Sequence, residues 1–111
     1  MRISPHFLEP KEAHYNYDYF SSVSYVFDQR RPVGGRVVSL LRNGRPVGEQ
    51  EKLTLCLCDY RATGAGDFDF YRDCPRIREI QVGISELILN YLREHETVEI
   101  PPEHPYRVIL P

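Results

Sequence analysis

The stretch VSYVFDQRRPVGGRVVSLLRNGRPV, residues 23–47, decides the fold. VSYVFD at Val23–Asp28 alternates, with Val23, Tyr25 and Phe27 on one face, as a half-buried strand does. Pro32, Gly34 and Gly35 break it. Arg36–Leu41 reads as a second strand. Asn43-Gly44 follows, and both residues tolerate positive φ, so a tight hairpin is expected there.

Working outward, Lys52–Cys58 reads as a third strand. It is apolar on both faces, which predicts a central strand covered on both sides. Ile77–Val82 reads as a fourth. Ile84, Leu87, Ile88, Tyr91 and Leu92 recur at helical spacing, predicting a helix from Ile84 to about His95 with Ser85 as its N-cap. Tyr106–Leu110 reads as a last short strand. Pro5 and Pro10 make residues 1–15 an irregular lead-in. The expected class is α+β: a small mixed sheet, one main amphipathic helix and long loops.

A length of 111 residues and a hydrophobic fraction of 41% suit one domain, spanning residues 1–111. The longest apolar run is far below the ~20 residues of a membrane span. The start, RISPHFLEP after Met1, has no apolar core of a signal peptide. A net charge of −2 gives no bulk attraction for a nucleic-acid polymer. Cys56, Cys58 and Cys74 read as small buried hydrophobes, with a disulfide to Cys74 left open.

The four histidines, His6, His14, His95 and His104, show no metal-ligand spacing. No GxSxG is present, and no cysteine has the flanks of a thiol protease. No catalytic residue is therefore expected within this chain. CDYRATGAGDF, Cys58–Phe68, is more informative. Gly64 and Gly66 allow a turn or close ligand approach, but no GK[ST] follows and no Rossmann helix begins there. HYNYDYF, His14–Phe20, is dense in rings. Such a loop either covers a sheet edge or presents rings to a partner, as a stacking platform or a protein-contact surface.

Five segments in register resemble the C-terminal domain of the 5′-nucleotidase family, which includes 2′,3′-cyclic-nucleotide 2′-phosphodiesterases. They are YNYD at Tyr15–Asp18, VSYVFDQRRPVGGRV at Val23–Val37, LLRNGRPV at Leu40–Val47, DYRATGAG at Asp59–Gly66 and ISELILNYL at Ile84–Leu92. The resemblance implies a nucleoside-binding domain for a metallophosphoesterase domain that holds two divalent metal ions and hydrolyses the phosphoester. It implies two rings sandwiching the base, Tyr17 and Tyr60, with Gly64 and Gly66 giving base and ribose access. Asn16 and Asp18 stand as polar neighbours.

In the 5′-nucleotidase branch the loop usually reads GGD, and its aspartate contacts the ribose hydroxyls. Here Asp67 falls one residue late, after Gly64-Ala65-Gly66, and the YRAxGxG form is closer to the cyclic-nucleotide branch. A cyclic phosphate ties up both hydroxyls, and a carboxylate there would repel it. The resemblance also implies that the chain begins partway into its domain. It further implies a parent acting outside the cytoplasm, in the periplasm, at the cell wall or secreted.

Overall fold

The computed structural model describes residues 18–111. The irregular lead-in expected for residues 1–15, and the site residues Asn16 and Tyr17, lie outside the described residues. The chain divides into two compact units, Met1–Thr54 with Glu103–Pro111, and Leu55–Pro102.

The first unit carries the sheet. β1 is Ser24–Asp28, β2 is Val37–Arg42, β3 is Arg45–Pro46 and β4 is Tyr106–Ile109. The strand order is β3-β2-β1-β4. β1 runs antiparallel to β2 and parallel to β4, so the sheet is mixed. A parallel partner cannot be reached by a hairpin. Accordingly β4 arrives only after the whole second unit has been traversed. The ladder of β1 and β2 pairs Val26 with Ser39 but Phe27 with Val37. Val38 is thus an extra residue in β2, a bulge that bends the strand.

The hairpin between β2 and β3 forms where Asn-Gly requires it. Asn43 has φ 51° and Gly44 has φ 74°. That sign at both central residues matches the right-handed twist of the flanking strands.

The alternation in β1 becomes the core. Tyr25 and Phe27 are buried on one face, and their rings lie 5.1 Å apart. In register across the parallel ladder, Tyr106 stacks on Tyr25 with centroids 5.8 Å apart and planes 19° from parallel. Burying a ring of this size contributes roughly 2–3 kcal/mol.

Asp28 closes β1. Its backbone N–H donates to the Arg36 carbonyl at 2.8 Å. The guanidinium of Arg30 grips its carboxylate with Nε and Nη2, each at 2.8 Å, and the Arg30 N–H donates at 3.1 Å. Those bonds, the side-chain ones foremost, hold its pKa at about 2 against the ordinary 3.8; burial opposes them, and the charges of Arg30 and Arg31 add to them. Folded Asp28 therefore binds a proton less readily than unfolded Asp28. Its contribution to stability is complete above about pH 5 and drains away as pH falls towards about 2. Acid denaturation of Asp28→Asn should show a shallower loss of stability between pH 4 and 2 than wild type. Superimposable pH profiles would remove Asp28 from the account.

The second unit has less regular structure than the sequence suggests. α1 is a single turn, Asp59–Ala62; a 3-10 turn spans Asp69–Tyr71; α2 is Ile84–Glu94. Lys52–Cys58 is not a strand. It pairs with no strand among the described residues, and Leu53 and Leu55 are exposed. Nor is Ile77–Val82, where Ile77, Ile80 and Val82 are all exposed. Apolar runs of this kind become strands only where a neighbour supplies hydrogen bonds.

The expected burial of the cysteines fails for the same reason. Cys56 and Cys74 are exposed, Cys58 is half-buried, and all three are free. α2 is the helix expected, but its N-cap is Gly83, with no side-chain cap bond; Ser85 lies inside the first turn. The apolar stripe of Ile84, Leu87, Ile88, Tyr91 and Leu92 is present, each residue about half exposed.

Candidate functional site

Asp59–Phe68 forms a small, tightly wound knot of chain in the second unit. The chain enters extended at Cys58, makes the one turn of α1, and ends it at Thr63. Gly64 follows with φ 86°, then Gly66 at 71° and Asp67 at 64°. Three left-handed residues within four positions fold the chain back sharply, and glycine adopts that conformation at no steric cost. At Gly64 a second constraint applies. A Cβ there would stand 3.2 Å from the Asp69 Cα and 3.2 Å from its Oδ1. Gly64 thus lets the 3-10 turn, with its Asp69–Arg72 ion pair, close against the loop.

Tyr60 stands on this knot as part of a helical turn, just past Cys58, the end of the third strand expected from the sequence. A sheet edge therefore does not carry the ring; a hydrogen-bonded turn carries its backbone. The Tyr60 carbonyl accepts from the Thr63 hydroxyl at 2.8 Å and from the Ala65 N–H at 3.3 Å. The residue is 59% exposed. An open phenol on an anchored backbone can receive a flat ligand.

Arg61, next to it, is buried. Its Nη1 donates to the Ala65 carbonyl at 3.2 Å. Its guanidinium carbon lies 4.1 Å from the Phe68 ring centre and 5.6 Å from that of Tyr60. Phe68 is buried as well, and Tyr71 stacks beside it at 5.8 Å with planes 2° apart.

Tyr60, Gly64 and Gly66 therefore share one loop. Asp18, half-buried, belongs to the first unit. Of the ring-rich loop, Tyr19 leans on Tyr106 at 5.3 Å. Phe20 meets Tyr25 edge-on at 6.1 Å, and its N–H donates to the Tyr25 hydroxyl at 3.3 Å. Phe20 thus packs beside the core ring of β1, while Tyr19 stays largely exposed against β4. Sequence reasoning left Arg61 and Phe68 out of the site. The available signal was a cation spaced among rings, Tyr60, Arg61 and Phe68. Among the described residues no three His, Cys, Asp or Glu side chains come together to hold a metal ion. No described helix is long and apolar enough to cross a membrane.

Comparison with known proteins gives concordant results. Residues 5–73 match the family model described as 5′-nucleotidase, C-terminal domain. A crystal structure assigned as a 5′-nucleotidase from Staphylococcus aureus, in complex with alpha-ketoglutarate, superposes with a TM-score of 0.81 at 36% identity. The match covers 97% of this chain and 21% of that one. The trifunctional nucleotide phosphoesterase protein YfkN of Bacillus subtilis (strain 168) is 23% identical over 96 residues, covering 76% of this chain and 7% of the relative. The chain thus spans a small part of the length of both.

Proposed function

Because the chain belongs to the 5′-nucleotidase C-terminal-domain family, we propose that it recognises the nucleoside part of a nucleotide for a two-domain phosphoester hydrolase. The observation that carries this reading is Tyr60, an exposed residue on a hydrogen-bonded turn. Stacking a base on such a ring contributes roughly 1–3 kcal/mol and tolerates any base, because every base has a π face. Tyr17 supplies the second ring, with Asn16 and Asp18 as polar neighbours and Gly64 and Gly66 shaping the loop. The chemistry belongs to a separate phosphoesterase domain with two divalent metal ions.

The substrate of the whole protein is a 2′,3′-cyclic nucleotide, with a 5′-mononucleotide as the next choice. What supports the cyclic form is the loop Gly64-Ala65-Gly66, which carries no carboxylate before Asp67. A fixed negative charge beside the ribose hydroxyls would repel a phosphate bridging them. Action outside the cytoplasm is part of the same proposal, and cell fractionation tests it.

Calorimetric titration of the chain with 2′,3′-cyclic AMP, 5′-AMP and adenosine separates the possibilities. Cyclic AMP should bind at least as tightly as adenosine. Tighter binding of 5′-AMP than of the cyclic form would transfer the assignment to the 5′-nucleotidase branch. Heats indistinguishable from dilution for all three would end the recognition role. A protein-contact surface built from the tyrosine-rich loop has less support, because Phe20 is turned onto Tyr25 and, of the described rings there, Tyr19 alone is left largely exposed.

A further inference from the structure

We infer that Arg61 is a positioning residue for Tyr60, a brace that holds the stacking ring in its receptive orientation; this rests on the nucleoside-stacking reading above. Within residues 55–102 the buried positions are Arg61, Gly64 and Phe68, so the best-shielded point of the second unit is built around a cation. Burying a guanidinium is costly unless its hydrogen bonds and charge are answered. Ordinary packing would have been served by an aliphatic chain.

The planar fork has a task that an aliphatic chain cannot perform. It joins three separate pieces of the loop: the Ala65 carbonyl at 3.2 Å, the Phe68 ring at 4.1 Å and the Tyr60 ring at 5.6 Å. The first of these lies just past Gly64, where the chain turns left-handed. The second lies just past Asp67, where the left-handed segment ends. Arg61 therefore ties both ends of the glycine loop to the turn that carries Tyr60.

That turn needs the tie. α1 is four residues long, and a helix of one turn does not hold itself together in water. A ring that must stop moving to stack a base loses affinity for every orientation it samples when free. Arg61 removes those orientations before the ligand arrives. Lysine keeps the charge but lacks the flat, forked geometry that can lie on Phe68 and reach Ala65 together.

The test places 3-fluorotyrosine at position 60 of the full chain and follows it by fluorine NMR, alongside calorimetry with adenosine. In the unliganded wild type the resonance should lie away from that of free fluorotyrosine. In Arg61→Lys and Phe68→Leu it should move towards the free value, and affinity for adenosine should fall roughly two- to fivefold, the range of one exposed cation–π contact. Phe68→Leu keeps an apolar side chain under the guanidinium, so it provides a reading even if Arg61→Lys does not fold. A resonance at the wild-type position in a folded variant overturns the brace, whatever the affinity. Failure of the stacking reading has a different signature: Tyr60→Ala would bind adenosine as wild type does, while the fluorine shift would still report on Arg61.

Discussion

Tyr60→Ala is expected to weaken adenosine binding by roughly 5- to 150-fold, the equivalent of ~1–3 kcal/mol for one base on one ring. The prediction is clean because the ring does little for the fold. The residue is 59% exposed, and the contacts that fix the turn come from the Tyr60 backbone carbonyl, which alanine retains. Thermal stability should change by no more than about 0.5 kcal/mol, as for other surface substitutions. Tyr60→Phe should keep most of the affinity, since stacking uses the π face and not the hydroxyl. Tyr19→Ala should bind almost as wild type does, because that ring rests on Tyr106. Calorimetry on the four proteins decides the matter. An unchanged dissociation constant for Tyr60→Ala would mean that the base is held elsewhere.

The parts of the fold legible in the sequence are those fixed by local chemistry. Asn43-Gly44 dictates a hairpin because few other pairs accept positive φ twice. The stripe from Ile84 to Leu92 dictates a helix because no other period fits it. Lys52–Cys58 and Ile77–Val82 differ from the strands their pattern suggests for one shared reason. An apolar run records a preference for burial, while a strand also needs a partner for its backbone groups, and no described strand pairs with either. The N-cap lies two residues before Ser85 because the chain leaves its extended path at Gly83, with ψ 142°.

In the candidate site, the expectation for Tyr60 comes from family resemblance and not from its local pattern. The role of its neighbour was legible in neither. An arginine in a polar, glycine-rich loop is by default solvated. Only coordinates reveal that Arg61 is buried on Phe68. The loop also gives Gly64 a meaning that sequence does not convey: the space beside it is occupied by Asp69 of the same chain.

Tyr25→Ala should cost the sheet unit roughly 3–5 kcal/mol, the usual range for deleting a large buried ring, against a typical domain stability of about 5–15 kcal/mol. Tyr25 is 2% exposed and lies in β1, flanked by β2 and β4. Its ring meets Phe20, Phe27 and Tyr106 at 6.1, 5.1 and 5.8 Å. Surroundings of a ring this well buried relax only partly when it is truncated, so alanine should leave a cavity. Tyr25→Phe separates the hydroxyl from the ring. It leaves the Phe20 N–H without its acceptor and should cost only about 1 kcal/mol. Burial raises the Tyr25 pKa above its ordinary 10.0, although the Phe20 bond opposes the shift. The folded phenol therefore holds its proton more tightly than the unfolded one, and its contribution is complete below pH 10 and lost above it. Urea denaturation at neutral pH ranks the two variants. If Tyr25→Ala and Tyr25→Phe lost equal stability, the hydroxyl would be the main contributor and the stacked rings of β1 and β4 would not be what holds the parallel edge of this sheet.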